Sequence, residues 1–312
     1  MTSARLISVV TPCYNEEANV RELYQRIKAV FDALPAYRYE HIFIDNASRD
    51  GTVAVLRELA AADVNVKVIV NARNFGHIRS PYHALLQARG DAVIAMASDL
   101  QDPPELIPEF LGLWEQGRKV VMGVKQESDE SMLMSWMRGA YYRLLERIAD
   151  IRVVRQATGF GLYDRLVVDQ LRRLDDPYPY FRGLVAELGY ATATIPYHQP
   201  RRRGGITSNN LYSLYDLAML GIVSHSKVPL RLATMIGFAM AALSFLVALG
   251  YAVAKILFWN QFTLGLAPIL IGFFFLSSVQ LVFVGIVGEY IGSIYTQVKK
   301  LPLVIEVERI NW

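Results

Sequence analysis

The sequence predicts an α/β domain with a mostly parallel sheet, followed by an interfacial helix and a hairpin of two membrane-spanning helices. Three observations lead there. Apolar runs alternate with amphipathic stretches through residues 6 to about 125, two long uncharged runs lie near the C-terminus, and the composition is shifted toward apolar residues. Of the 312 residues 53% are apolar and 20% are charged, against roughly 45–50% apolar and 25% charged in an ordinary soluble domain.

The elements follow in order. Leu6 to Val10 reads as a strand, Glu17 to Leu34 as a helix, His41 to Ile44 as a strand and Gly51 to Ala61 as a helix. Val66 to Val70 is the third strand, Arg79 to Ala88 the third helix and Ala92 to Ala97 the fourth strand. That rhythm implies a sheet covered on both faces, with ligands bound beyond the carboxyl ends of its strands.

From Leu232 to Ala254 no residue is charged, and Arg231 and Lys255 bound the run. At about 1.5 Å per residue it crosses about 30 Å of hydrocarbon. A second uncharged run extends from Phe262 to Gly288, and only the polar break Trp259-Asn260-Gln261 separates the two. Lys227, Arg231, Lys299 and Lys300 flank the outer ends and place them in the cytoplasm by the positive-inside rule, with Lys255 as a contrary charge. The alternative is a pair of core helices in a large soluble protein. Leu211, Leu214, Tyr215, Leu217, Ala218 and Ile222 recur near helical spacing, which fits either an interfacial helix or an amphipathic helix packed on the soluble domain. Upstream, Arg201-Arg202-Arg203 is the densest positive charge, suited to anionic headgroups, to a phosphate substrate, or to a solvated loop.

Several function classes are excluded. One cysteine, Cys13, cannot form an internal disulfide. A net charge of +3 is too small to argue for nucleic acid. Leu6 to Val10 is too short for a signal-peptide core, so the amino-terminal part is expected to stay in the cytoplasm. There is no G-x-G-x-x-G after the first strand and no G-x-x-x-x-G-K-[ST], which removes support for dinucleotide oxidoreductases and P-loop nucleotidases. The five histidines contain no H-x-x-x-H pair, so any metal ligands are oxygens. Asp99, Gln101 and Asp102 offer hard donors for Mg²⁺ or Mn²⁺, with Asp102 read instead as a helix N-cap before Pro103-Pro104.

Four post-strand loops carry the polar side chains: 12–17 (Pro-Cys-Tyr-Asn-Glu-Glu), 45–51 (Asp-Asn-Ala-Ser-Arg-Asp-Gly), 71–76 (Asn-Ala-Arg-Asn-Phe-Gly) and 98–105 (Ser-Asp-Leu-Gln-Asp-Pro-Pro-Glu). Turn and cap preferences explain one or two such loops better than all four. Together, P-x-Y-N-E-E, an I-D-N-A-S-R-D-G-T loop similar to V-D-D-G-S-x-D-G-T, R-N-F-G and S-D-L-Q-D-P-P-E resemble the inverting family-two glycosyltransferases with the GT-A fold. The hairpin narrows the resemblance to the polyisoprenyl-phosphate glycosyltransferases, the group of bactoprenol glucosyltransferases and dolichol-phosphate mannose synthases.

That resemblance implies inverting transfer of a sugar from a nucleotide diphosphate sugar, a UDP-sugar, to a polyisoprenyl (undecaprenyl) phosphate for cell-surface glycan assembly or modification. Pro12, Tyr14, Asn15, Glu16 and Asp45 would cradle base and ribose, and Asn74 joins the substrate-binding set. Asp99 and Gln101 would hold Mg²⁺ or Mn²⁺ on the diphosphate. Arg202, Gly205 and Thr207 look like the family's R-x-x-G-x-T closing element, and Asp99 and Arg202 carry the catalytic assignment. Lys125 and Arg138 fall where similar proteins place cations for the acceptor phosphate, and Tyr180-Phe181-Arg182-Gly183 loosely resembles R-F-x-x-G. The implied organisation is a cytoplasmic GT-A domain over 1–205, a juxtamembrane helix over 206–227, two spans over 228–296 and a cytoplasmic tail over 297–312. The implied setting is the bacterial inner membrane, with both termini cytoplasmic. The implied partners are nucleotide sugar, polyisoprenyl phosphate and lipid bilayer, with a homo-oligomer, a tetramer by analogy.

Three departures stand out. Ala97 replaces the first acid of Asp-x-Asp, the T-G-D-F-R-L segment reads Thr158-Gly159-Phe160-Gly161-Leu162 without its acid, and Ser208 replaces the lysine after the closing threonine. Two further readings therefore stay open: a catalytically dead nucleotide-sugar-binding membrane partner, and a transferase with another lipid acceptor.

Overall fold

The computed structural model describes residues 4–126, 154, 157–200, 211–258 and 266–312. Strands β1 (Arg5–Cys13), β2 (Tyr37–Asp45), β3 (Val66–Asn71) and β4 (Ala92–Ala95) alternate with helices α1 (Glu17–Asp32), α2 (Thr52–Ala62) and α3 (Gly76–Gln87). A 3-10 turn (Pro104–Leu106), α4 (Ile107–Glu115), β5 (Val120–Lys125), β6 (Ala157–Asp164), α5 (Arg165–Leu174), α6 (Phe181–Glu187) and β7 (Thr192–Tyr197) follow. Then come α7 (Leu211–His225), α8 (Val228–Leu257), α9 (Leu266–Lys299) and β8 (Glu306–Ile310).

The eight strands form one sheet in the order β7-β5-β6-β4-β1-β2-β3-β8. β1 runs parallel to β2 and β4, β2 to β3, and β5 to β7, whereas β6 is antiparallel to β4 and β5, and β8 to β3. This is the mostly parallel sheet the sequence predicts. Its apolar runs fill both faces: Ile7, Leu23, Ile27 and Phe110 pack on one, and Val10, Ile69, Tyr82 and Val168 on the other. The chain builds β1, β2 and β3 outward and then returns to lay β4 on the other side of β1. The switch in direction lies between β1 and β4, where ligands of open α/β sheets bind.

Strand ends depart from the sequence reading for local reasons. β1 continues past Val10 to Cys13, whereas β4 pairs with it only as far as Val10. On that side β1 becomes an edge, and Pro12 is accommodated. β4 stops at Ala95 because the Ala97 N–H turns away to donate to the Asp102 carboxylate at 3.0 Å.

The strongest apolar stretches of α8 and α9 have mean hydropathy 2.2 and 2.1 with 6% and 0% of their residues buried, which rejects the core-helix alternative. Their apolar surface, Phe245 and Phe274 included, lies outside any protein core, and this is the solvent requirement of a bilayer. α9 runs beyond its uncharged stretch, and its last turns make polar contacts: Tyr290 donates to the carbonyl of Ser226, in the turn before α8, at 2.6 Å, and Gln297 to Asp176 of the domain at 2.9 Å. The helix before the spans touches the domain at its end, where His225 lies 5.6 Å from the Tyr180 ring and 3.4 Å from Glu187.

The expected C-terminal tail is in part a strand. Val68 pairs with Ile310 and Val70 with Glu308, and an Arg57–Glu308 ion pair and a His83–Glu306 hydrogen bond join the strand to α2 and α3. The chain leaving α9 thus returns to the same sheet that precedes α8.

Candidate active site

The loops after β1, β2, β3 and β4 leave one edge of four adjacent parallel strands. Asn15 sits in the left-handed region at φ 57°, which a short polar side chain tolerates by bonding locally. Its N–H donates to the Ser48 hydroxyl at 2.9 Å, and its carboxamide oxygen accepts from the Arg49 N–H at 2.8 Å. The Glu16 N–H donates to Thr52 Oγ1 at 2.9 Å, and the Glu16 carboxylate accepts from Asn19. These bonds hold the first two loops together and leave the Tyr14 side chain 41% exposed at the mouth.

Asp45, at the end of β2, is fully buried. Its Oδ2 accepts from the Ser48 N–H at 2.9 Å, and among the described residues its Oδ1 has no hydrogen-bond partner. Burial pushes its pKa up against the Ser48 hydrogen bonds. Burial, with Asp45 and Glu16 nearby, likewise pushes the Cys13 thiol well up, so it stays a neutral core group.

Asn46, which the sequence reading passes over, joins the second loop to the third. Its Oδ1 accepts from the Phe75 N–H at 2.8 Å and from Asn71 at 3.2 Å, while its Nδ2 donates to Asn74 Oδ1 at 2.8 Å and the Gly76 carbonyl at 3.2 Å. Asn74 Oδ1 also accepts from the Gly76 N–H at 2.8 Å. The carboxamide oxygen of Asn74 thus organises the start of α3.

In the fourth loop Leu100 has φ 60°, and Asp99 Oδ1 accepts from the Gln101 N–H at 3.2 Å. Gln101 Nε2 donates to the Pro200 carbonyl at 3.0 Å. Asp102 is not the helix cap the sequence suggests. Pro103 occupies that place, and Asp102 is 4% exposed with Oδ2 on the Ala97 N–H and Oδ1 on the Tyr197 hydroxyl, each at 3.0 Å. Burial raises its pKa to about 6 despite those two bonds, and Asp99 adds to the rise. Among the described residues no three His, Cys, Asp or Glu side chains gather as a metal cluster.

A cavity of about 350 Å³ opens beside the switch point, lined among others by Pro12, His77, Ala97, Gly159, Tyr180 and Arg182. Gly159 and Phe160 both border it, but they are not equivalent. Phe160 is 1% exposed, its ring 4.9 Å from Phe110 and 5.6 Å from Tyr197. Gly159 has φ +99°, and a Cβ built there meets no atom within 4 Å. Phe160, where the sequence reading sets the missing acid, is thus a packed core position, and Gly159 beside it has free space but a backbone angle that strains any side chain.

Of the sequence-predicted residues, Pro12, Tyr14, Asn15, Glu16, Asp45, Asn74, Asp99 and Gln101 lie in loops on this one edge or at the strand ends leading into them. Lys125 ends β5, paired with Tyr197. It is two strand positions from β4, or about 10 Å at the usual 4.8 Å spacing. Arg138, Arg202, Gly205 and Thr207 lie outside the described residues. Ser48, Asn46 and Tyr197 were missed. Ser48 and Asn46 stand within a quoted motif, but nothing in the spacing of Tyr197 marks it.

Comparison with known proteins gives the family. The glycosyl transferase family 2 profile matches residues 8–172. The uncharacterized glycosyltransferase YkcC of Bacillus subtilis is 36% identical over 96% of this chain and 92% of its own. The SfII prophage-derived bactoprenol glucosyl transferase of Shigella flexneri is 33% identical over 95% of this chain and 96% of its own. Among solved structures, glucosyl-3-phosphoglycerate synthase from Mycobacterium tuberculosis, in complex with Mn²⁺, uridine diphosphate and glucosyl-3-phosphoglycerate, superposes with TM-score 0.46 at 19% identity, over 71% of this chain and 78% of that one. With the profile spanning more than half of the sequence and relatives aligning along nearly all of it, this protein is a glycosyltransferase of family 2.

Proposed function

We propose that the protein transfers a sugar, with inversion, from a UDP-sugar to a polyisoprenyl phosphate at the cytoplasmic face of a bacterial plasma membrane, in cell-surface glycan assembly. The observation that carries this reading is the union of the four polar loops at the β1/β4 switch point with an apolar hairpin that leaves and rejoins the same sheet. The bactoprenol glucosyl transferases that align along nearly the whole chain support the choice of acceptor.

The chemistry needs little from a base. A phosphate monoester has a second pKa of about 6, so near neutral pH the acceptor oxygen is largely deprotonated, and Phe160 in place of an acid is compatible with transfer. The demanding requirement is charge, because an anionic acceptor must approach an anionic donor whose diphosphate then departs. Lys125, Arg138 and Arg202 would offset that repulsion, with Gly205 and Thr207 in the closing element. Pro12, Tyr14, Asn15, Glu16 and Asn74 would frame the nucleotide. Asp45 Oδ1, buried and without a partner among the described residues, is an acceptor that a base or ribose donor would satisfy.

Asp99 and Gln101 fit a small hard cation. One carboxylate and one carboxamide suit Mg²⁺ or Mn²⁺, which fill their shells with water and substrate phosphates, while both oxygens of Asp102 are committed elsewhere. Such an ion supplies Lewis acidity to the diphosphate. The apolar hairpin has its own physical reason: drawing a polyisoprenyl chain out of the bilayer costs about 0.8 kcal/mol per CH₂, so the site must come to the headgroups. The catalytic part would then be 1–205 completed by β8, with 206–227 at the interface and 228–296 in the bilayer, both termini cytoplasmic, in a homo-oligomer.

The test is transfer by the full-length protein in phospholipid vesicles, with undecaprenyl phosphate and a panel of labelled nucleotide sugars. A lipid-linked sugar is the expected product, and Arg202→Glu should abolish it while membrane insertion stays intact. Absence of product from every donor, or full activity of Arg202→Glu, would refute the reading. A soluble glycosyl acceptor used in place of the lipid would point to another substrate class.

A further inference from the structure

Four hydrogen bonds converge where β7 ends. The Tyr197 hydroxyl donates to Asp102 Oδ1 at 3.0 Å, and Asp102 Oδ2 accepts from the Ala97 N–H at 3.0 Å. Gln101 Nε2 donates to the Pro200 carbonyl at 3.0 Å, and the Gln126 N–H donates to the Tyr197 carbonyl at 3.1 Å. One tyrosine thereby touches three chain segments. These are the loop bearing Asp99 and Gln101, the strand end bearing Lys125, and residues 198–200, which run directly into Arg201-Arg202-Arg203. Tyr197 and Asp102 are each 4% exposed, so the bond between them is shielded from water. Gly123 makes room for the ring, since a Cβ there would lie 2.8 Å from Phe160 and 3.1 Å from Tyr197.

We propose that the Tyr197–Asp102 bond is the joint that holds the Asp99–Gln101 loop in register with the segment leading to the arginine run, so that both are positioning residues for transfer. The inference rests on the function proposed above, and it explains an acid that the motif contains but that neither caps a helix nor offers an oxygen to an ion. A buried carboxylate costs free energy unless its lone pairs are used. Here one oxygen fixes its own loop through the Ala97 N–H, two residues before Asp99, and the other ties that loop to the far strand through the Tyr197 hydroxyl. Gln101 repeats the connection three residues beyond Tyr197, so the two segments are tied at two points. Removing the hydroxyl while leaving the ring in place should let them shift against one another. Geometric errors of about 1 Å cost up to about 100-fold in rate without weakening the binding of the rest of the substrate.

The experiment uses the full chain in phospholipid vesicles, with three readouts: transfer kinetics, UDP affinity by calorimetry, and hydrogen exchange over residues 97–102 and 195–200. Tyr197→Phe is expected to lower kcat about 10- to 100-fold, keep UDP affinity within about twofold, and raise exchange in both peptides while β1 to β3 are unchanged. Asp102→Leu should lose as much, and Asp102→Asn, which still offers an acceptor to Ala97 and a polar partner to the hydroxyl, should recover part of that loss. The double variant Tyr197→Phe/Asp102→Leu should be no worse than its worse parent. Wild-type kcat in Tyr197→Phe, a loss expressed wholly as weaker UDP binding, or unchanged exchange in both peptides would overturn the joint. If the wild-type chain transfers no sugar, the functional reading fails and the positioning role with it, whereas an active wild type beside an unaffected Tyr197→Phe overturns the joint alone.

Discussion

Asn46 gives the sharpest test of how the site is assembled, because one side chain connects two of the four loops. Asn46→Ala removes four hydrogen bonds, but they are not equal. Asn71 Nδ2 keeps the Ser80 hydroxyl at 3.0 Å, and Asn74 Oδ1 keeps the Gly76 N–H at 2.8 Å. The Phe75 N–H, in a residue only 8% exposed, loses its bond to Asn46 Oδ1. A buried donor left unsatisfied costs about 1–3 kcal/mol, and the partly compensated bonds add about 1, giving a loss of about 2–4 kcal/mol. For a soluble part of this size each kcal/mol moves the melting temperature by about 2–4 °C, so the variant should melt about 5–15 °C lower. Differential scanning fluorimetry of the full chain in detergent, with and without UDP, reads both stability and the ligand-induced shift. The shift should shrink, because the loop that carries Asp45 loses its tie to the third loop. Asn46→Asp keeps the bond from Phe75 but sets a carboxylate oxygen against Asn74 Oδ1 and the Gly76 carbonyl. Its pKa would be raised, so its stability should be greatest in acid and fall as pH rises. An Asn46→Ala protein that melts within about 1 °C of wild type would refute this accounting.

Three further outcomes follow from single positions. Ala47 holds φ 62° where the similar motif has glycine; a left-handed Cβ costs about 1–2 kcal/mol and glycine's extra chain entropy returns about half of that, so Ala47→Gly should raise stability by about 0.5–1 kcal/mol in urea titration, and a decrease would show that the loop is not strained there. A Cβ on Gly183 would lie 2.2 Å from His225 Nε2 and 2.4 Å from the Tyr180 ring. Gly183→Ala should therefore unseat the helix before the spans and lower transfer to the lipid acceptor more than UDP affinity, and calorimetry showing equal losses would argue against that role. Asp164 accepts from Trp114 Nε1 at 2.7 Å, Lys119 Nζ at 2.9 Å and the Leu166 N–H at 2.9 Å. Burial pushes its pKa up, but these partners outweigh it and hold it below 3.8. A lowered folded pKa gives stability that is present above the unfolded value and lost as pH falls through the folded one, so below about pH 4 the Asp164→Asn melting curve should be flatter than wild type, and parallel curves would sink the assignment.

The parts of the fold that were legible are those in which one physical signal dominates. Ile42 to Ile44 of β2 and Val66, Val68 and Ile69 of β3 are buried apolar residues, and α1 buries Val20, Leu23, Ile27 and Phe31 at helical spacing. The two C-terminal helices, long and apolar enough to cross a membrane and almost unburied, were located by their charge-free lengths. The candidate residues Asn15, Asp45 and Asp99 were singled out because several polar side chains follow a strand there, and the fold does bring those loops to one end of the sheet. Asn46 and Asp102 stood inside those motifs but do structural work, and residue type alone does not separate a ligand from a tie. Pattern matching is blind to which way a strand residue faces: Phe160 stands where the motif has its acid, and only the structure shows its ring packed against Phe110.

The clearest gap in the sequence reading is β8, and its cause bears on how the enzyme would work. In Glu306-Val-Glu-Arg-Ile the apolar alternation points the wrong way: Val307 is 70% exposed, while Glu306 and Glu308 turn toward His83, Arg309 and Arg57. Hydrophobic periodicity cannot detect an edge strand held by backbone bonds and side-chain charges. Asn311 adds bonds to the carbonyls of Ala60 at 2.7 Å and Val66 at 2.9 Å, and Arg79 donates to the Pro302 carbonyl. Individually these surface ties are weak. Together they join the end of α9 to the sheet that carries the site, while Ser226 and Tyr290 join the start of α8 to α9. A domain attached at one point would swing on its linker and spend most encounters away from the headgroup plane. Attached at both ends of the hairpin, it has fewer orientations to lose when the acceptor arrives, so the strand hardest to foresee is the one that would lower the entropic cost of transfer.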